Sequence, residues 1–327
     1  MNYMFISKHA IKKKSYFYLE HKLGSKRISV YLGKKNEIQN KIEPAFNEII
    51  QKTIVEKLKK SKEKLKTSVL TTTEQLMLEK LKVNYGLMKK FLPQGFESFK
   101  EDEFVRYAQG SASVEGNSLS LQEALLVLEK NISIAGKKIE EIKEIENMKL
   151  AAEVSKNMQK INEKNIKKIN AAILKGFDKK TPGQYRTEPI FITASEVKTV
   201  HAEKIEKEIN SLTKWFEKNK KRHPLELAAE FHARFEEIHP FQDGNGRTGR
   251  EILNVMLRIN HYPRAIINLE NRQSYTALLE RVQLSKEYNK FTKFICLCLE
   301  KREIEISKII TENKKTILEK IMKKLIK

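Results

Sequence analysis

The sequence predicts a mainly α-helical fold with a short N-terminal β-hairpin and a second small β-hairpin in the middle of the chain. Three observations carry this. Apolar residues recur at helical spacing through most of the 327 residues. Thr71-x-x-Glu74 and Ser120-x-x-Glu123 have the spacing of capping boxes, in which a hydroxyl and a carboxylate satisfy N–H groups that a helix start leaves free. Residues that favour strands gather in only two places.

In order, "SYFYLEHKLGSKRISVYLG" (Ser15–Gly33) reads as the first hairpin, with its turn near Gly24. A very basic helix follows over about 37–66. Thr71 opens an amphipathic helix, and "LPQGFESF" reads as a connecting loop. Next come a helix, a break at Gly116 and Asn117, and a helix capped by Ser120. Helices over about 138–160 and 163–175 lead to "KKTPGQYRTEPIFITASEV". There Pro182 and Gly183 are breakers and "PIFIT" reads as a strand, which gives the second hairpin. Further helices are predicted over about 201–219, 224–238, from 245 onward, 272–284 and 286–303, with a basic amphipathic helix as the tail at 304–327. The resulting organisation is a basic N-terminal part at 1–66, a main domain at 67–300 and a basic helical tail at 301–327.

No run of about 18 apolar residues exists, which argues against a membrane span. The N-terminus lacks the apolar core of a secretory signal, so the expected location is cytoplasmic. Cys296 and Cys298, two residues apart, suit small core positions in a reducing compartment better than a chelate. The net charge of +22 leaves nucleic acid open as a partner. Lys is spread along the chain, whereas seven of the 12 Arg fall between Arg234 and Arg281, where planar contact with phosphate becomes the sharper reading.

That Arg-rich region contains "IHPFQDGNGRTGRE", Ile238–Glu251. Its Gly244-x-Gly246-x-x-Gly249 fits the dinucleotide fingerprint, but a helical run rather than a strand precedes it. Arg250 and Glu251 stand where a P-loop needs Lys and a hydroxyl. His223, His232, His239 and Asp243 lack the spacing of a zinc hydrolase. What survives is a glycine-rich turn entering a helix, which offers free N–H groups to an anion.

His239 to Arg250 resembles the signature loop of the Fic family, H-P-F-x-D/E-G-N-G-R-x-x-R, at all nine specified positions. The resemblance covers roughly 101–299 and implies a helical enzyme that transfers AMP from ATP to a protein Ser, Thr or Tyr hydroxyl, releasing pyrophosphate. It implies His239 as general base, Asp243 as ligand of Mg²⁺ or Mn²⁺, and Gly244, Asn245, Gly246, Arg247 and Arg250 as the ATP phosphate site, with Phe241 a buried anchor. Relatives with other chemistries differ, for instance with Lys where this chain has Gly246, so Gly246 favours nucleotidyl transfer. "PGQYRTEPIFI" resembles the family's target-docking flap, implying Gln184, Tyr185, Arg186, Ile190, Phe191 and Ile192 as docking residues by strand addition. Tyr275 lies where relatives contact the nucleotide base.

Ser111-Ala-Ser-Val-Glu115-Gly116-Asn117 resembles the family's inhibitory motif, S/T-x-x-x-E-G/N. It implies that Glu115 pairs with Arg250 and blocks the γ-phosphate position, with Ser111 and Gly116 completing the motif. In some relatives the same Glu positions a water that removes AMP. The leading expectation is therefore an auto-inhibited protein adenylyltransferase, with removal of AMP, self-modification and a homo-oligomer left open. The rival is a nucleic-acid-binding regulator that retains the Fic core; no nucleic-acid motif supports it.

Overall fold

The computed structural model describes residues 4–130, 132–177, 180–191 and 197–323. Within them are three strands, β1 (Phe5–Ile11), β2 (Lys14–Leu23) and β3 (Lys26–Gly33), and twelve α-helices. The helices are α1 (Ile38–Lys64), α2 (Thr72–Phe91), α3 (Pro93–Val114), α4 (Leu121–Lys130), α5 (Ile139–Ser155), α6 (Glu163–Ile173), α7 (Ile205–Lys218), α8 (Pro224–Ile238), α9 (Asn245–Ile259), α10 (Arg272–Ser285), α11 (Asn289–Glu312) and α12 (Lys314–Met322). None is long and apolar enough to cross a membrane. The chain divides into two compact units: residues 1–65, 70–99 and 300–327 supply the first, and 66–69 and 100–299 the second.

In the first unit, β2 and β3 form the expected hairpin, with Gly24 in its turn at φ +66°. The structure adds β1, antiparallel to β2, so the hairpin is the larger part of a three-stranded sheet in the order β1-β2-β3. The sequence hid β1 because its turn is built from Lys12 and Lys13, both at positive φ, instead of Gly or Asn. One face of the sheet, including Phe17, Leu19, Val30 and Leu32, is buried, and α1 packs against β2 and β3. The Thr71 capping box forms: Thr71 N donates to Glu74 at 2.7 Å, and Glu74 N donates to the Thr71 hydroxyl at 3.3 Å.

Three boundaries differ from expectation. Residues 93–99 are helical, because Pro93 starts α3 at the first helical position, where its missing N–H costs nothing. The helix read as ending at 303 continues to Glu312, and a separate α12 follows it. α5 ends at Ser155, five residues short of the prediction.

The second unit is built around α9, against which α5, α6 and α8 pack. Its apolar residues Ile252, Leu253, Val255, Met256 and Leu257 are all buried. Beside it, Tyr107, Ala108 and Ala112 of α3 bury into one cluster with Ala124 and Val127 of α4 and Ile145 and Met148 of α5. This fixes the rotation of the end of α3 and leaves Ser111 and Glu115, four residues apart, on a common face. The second predicted hairpin forms no ladder among the described residues. Residues 185–191 instead meet the following arm through Thr199, whose hydroxyl donates to the Ile190 carbonyl at 2.7 Å. Ile192 and Thr193, the last two residues of the predicted strand, lie outside the described residues.

Candidate active site

α8 ends where His239 adopts the left-handed conformation, at φ 49° and ψ 60°, and its N–H caps Phe235 at 3.0 Å. Such a position normally goes to Gly, and Pro240 then prevents the helix from continuing. The turn that follows is tied from within. Asn245 accepts from Phe241 N at 2.9 Å and donates to Phe241 O at 2.8 Å. Phe241 is fully buried against Tyr185 and Phe235. The side chain of Asn245 is therefore a staple for the loop. Gly244, at φ +74°, caps α9, whose first N–H groups have no carbonyl one turn back within the helix. These groups and the helix dipole make an anion site.

His239 is half-buried, and its Nδ1 lies 3.3 Å from the Glu236 carbonyl. That contact makes Nδ1 the donor and leaves Nε2 as the basic nitrogen. Burial, opposed by the Glu236 carbonyl and reinforced by Arg186, holds the imidazole pKa below its ordinary value, so the ring is neutral at pH 7. Asp243 bridges two cations, with Arg247 at 3.2 Å and Lys180 at 2.7 Å, and accepts from Gly244 N at 2.5 Å. Burial raises its pKa, but Lys180 and Arg247 more than offset that and keep it ionised. Arg247 also pairs with Glu144 at 2.9 Å.

Arg250 is 2% exposed and lies against the Tyr275 ring. Its Nε donates to the Ser111 hydroxyl at 2.9 Å, and its Nη2 to the Ser111 carbonyl at 2.8 Å and to Glu115 at 2.7 Å. Burial opposes its charge, yet Glu115, Tyr275 and Glu236 together raise its pKa. Glu115 stands at the end of α3, where Gly116 at φ +101° and a bond from Asn117 N to Ala112 O stop the helix. Its carboxylate reaches over the start of α9: a Cβ on Gly246 would lie 2.2 Å from Glu115 Oε1. Burial pushes the Glu115 pKa up, and Arg250 and Arg247 outweigh that, so the group is ionised at neutral pH. Its side chain is 40% exposed, which leaves it a way out.

The candidate residues thus meet in one place, with two qualifications. Tyr275 is buried with its hydroxyl 2.8 Å from His232 Nε2, so it forms a wall behind Arg250. Arg186 is also buried. It donates to the carbonyls of His239 at 2.8 Å and Glu188 at 2.9 Å and also to that of Val200, so it clamps the loop rather than facing a target. Arg186 N adds a bond to Pro240 O at 3.0 Å, and Tyr185 bridges Phe241. Gln184 and Phe191 are exposed, Phe191 at 89%, and Ile190 is half-buried.

Three supporting residues escaped the sequence reading, and a fourth, His232, entered it only as a candidate zinc ligand. Asn170 of α6 donates to the Asp243 carbonyl at 3.0 Å and accepts from Gly183 N at 3.0 Å, joining the loop to the flap. Its polar side chain among Ile166, Ile169 and Ile173 on the buried face of α6 was the available signal. Glu144 holds both Arg247 and Asn117, the latter at 2.9 Å. His232 is kept neutral by burial, with its pKa lowered to about 3. Glu236 is buried, its Oε1 has no hydrogen-bond partner among the described residues, and burial pushes its pKa up to about 8 despite Arg250. Between about pH 4.5 and 8 the folded chain keeps this proton while the unfolded chain has lost it, so stability falls as pH rises through that window. Glu236→Gln is expected to flatten that fall, read as a smaller drop in Tm between pH 5 and 8 than in the parent protein. An unchanged drop would refute the assignment.

The Fic/DOC family model matches residues 160–257. Protein adenylyltransferase Fic of Aedes aegypti is 29% identical over 214 residues, covering 62% of this chain and 41% of that protein. The Culex quinquefasciatus protein of the same name is 28% identical over 222 residues, covering 64% and 43%. The chain therefore spans about two-fifths of the length of these curated relatives. Among solved structures, a Fic-domain signalling protein of Bacteroides thetaiotaomicron superposes with a TM-score of 0.64 at 21% identity, covering 70% of this chain and 95% of that one. Fic-1 of C. elegans (residues 134–508) superposes with a TM-score of 0.60 at 21% identity, covering 84% and 77%. The signature loop at the head of α9, the family model matched over residues 160–257 and the shared fold agree on one reading, that this part of the chain is similar to Fic/DOC domains.

Proposed function

We propose that this chain is an auto-inhibited protein adenylyltransferase that uses ATP and a divalent cation. The observation that carries the reading is the position of Glu115: an ionised carboxylate lies on Arg250 and over Gly246, at the anion-binding end of α9. In the transfer, a target hydroxyl oxygen bonds to the α-phosphorus, the bond from that phosphorus to the α,β-bridging oxygen breaks, and pyrophosphate leaves. His239 Nε2 takes the hydroxyl proton. The backbone N–H groups of Asn245 and Gly246 and the guanidiniums of Arg247 and Arg250 face the phosphates, while Gly244 N–H holds Asp243 and shapes the turn. The exposed Phe191 and Gln184 favour the flap as the target's docking place.

Asp243 fits a magnesium or manganese ion. Its ionised carboxylate already takes a cation, Lys180, at 2.7 Å, and its hard oxygens suit such an ion. That is the donor set of an ion held by one carboxylate, water and substrate phosphates. Such an ion would neutralise phosphate charge. The test is incubation of the chain and a lysate with α-labelled ATP and Mg²⁺, followed by mass spectrometry for AMP on proteins, including the chain itself. Labelling is expected to disappear with excess chelator and to fall sharply in Asp243→Ala. Full labelling under chelation would remove the metal from the scheme, and no labelling by either the parent chain or Glu115→Gly would sink the activity.

A further inference from the structure

We infer that the outer face of the N-terminal sheet binds single-stranded nucleic acid. The register pairs His9 with Tyr16, Tyr18 with Tyr31 and Lys22 with Arg27, and paired residues share a face. This face is opposite the one that buries Phe17, Leu19 and Val30. The solvent side of a small antiparallel sheet is ordinarily polar. Here it carries a contiguous aromatic surface: Tyr18 and Tyr31 centroids are 5.3 Å apart, Tyr16 and Tyr31 6.3 Å, and His9 and Tyr18 4.9 Å. Tyr31 is 47% exposed.

Charge selects the partner. Residues 1–66 hold 17 of the chain's 64 Lys and Arg and six of its 42 acidic residues, a net charge of +11, half the total in a fifth of the length. Glu20, the acid on this face, is 2% exposed and already paired with Arg27 at 3.2 Å. Lys12 and Lys13 form the β1–β2 turn with φ of 47° and 64°, a conformation that favours Asn-Gly. Two lysines held there present charge at one end of the aromatic surface. Lys22 stands at the other end of the ten-residue β2, about 33 Å long, opposite the Arg27 of β3 that holds Glu20. Stacked bases on the rings with phosphates near the cations is the arrangement that binds unpaired strands, and a duplex offers these rings no free base face.

The full-length chain would be titrated into a labelled 12-nucleotide single-stranded DNA of mixed sequence and into its duplex, followed by fluorescence anisotropy. The strand is expected to bind more tightly than the duplex. Tyr31→Ala is expected to weaken strand binding about five-fold or more. The double variant Lys12→Asn with Lys13→Gly is expected to weaken binding and lower the log–log salt slope by about 1.4. Its Tm should hold or rise, because Asn-Gly suits the turn, so weaker binding cannot be ascribed to unfolding. No binding to the strand, preference for the duplex, or both variants binding like the parent would overturn the inference. ATP-dependent labelling plays no part in this measurement, so its failure and that of the proposed transferase are separable.

Discussion

Glu115→Gly is expected to raise AMP labelling of the chain and its targets roughly ten- to thirty-fold. In the proposed scheme the carboxylate competes with phosphate twice, for the Arg250 guanidinium, which it meets at 2.7 Å, and for the space over Gly246. A hydrogen bond between charged groups contributes about 1.5–3 kcal/mol. The partial exposure of Glu115 places this pair in the lower half of that range, and about 1.5–2 kcal/mol corresponds to the stated rate factor. Removing Glu115 leaves Arg250 anchored by Ser111, so the guanidinium stays in place for the phosphate. The double change with Arg250→Ala should lose the gain. Labelling by Glu115→Gly at the parent's level, with His239 still essential, would leave a Fic enzyme without this brake.

The largest loss is expected from removing the base. His239→Ala should lower transfer about 10²- to 10⁴-fold, the usual contribution of a positioned general base. Ala also tolerates the left-handed backbone at φ 49° poorly, so His239→Asn is the cleaner variant, since Asn adopts that conformation readily. Both should retain ATP affinity, because in the proposed scheme the phosphates meet α9 and the two arginines. Since burial holds the His239 pKa below 6.5, parent activity should stay level from pH 7 to 8 and fall only as acid charges the ring. Transfer by His239→Asn near the parent's rate would remove the assigned role.

Much of this site was legible because its residues are consecutive. The loop from His239 to Arg250 needs local geometry and anion chemistry at fixed spacing, and both leave a mark in sequence. The capping boxes were readable for the same reason. What stayed hidden depends on partners distant in the chain. Asn170 reaches Asp243 across 73 residues, and Glu144 reaches Arg247 across 103. Tyr275 was expected at the nucleotide base, but His232 and Arg250 enclose it. β1 was missed because its turn uses lysines, and the start of α3 because Pro93 and Gly95 look like loop residues when read without their helical neighbours.

Gly246 gives the proposed brake an asymmetric mutational landscape. A side chain there would collide with Glu115 and with Arg250 Nη1, at 2.2 and 2.9 Å from its first carbon. It would therefore evict the inhibitor and, in the same stroke, fill the space that phosphate needs. A change at Gly246 cannot separate release from damage. In the proposed scheme the clean release comes from the α3 side, where Glu115 can be lost while the loop and the start of α9 keep their shape.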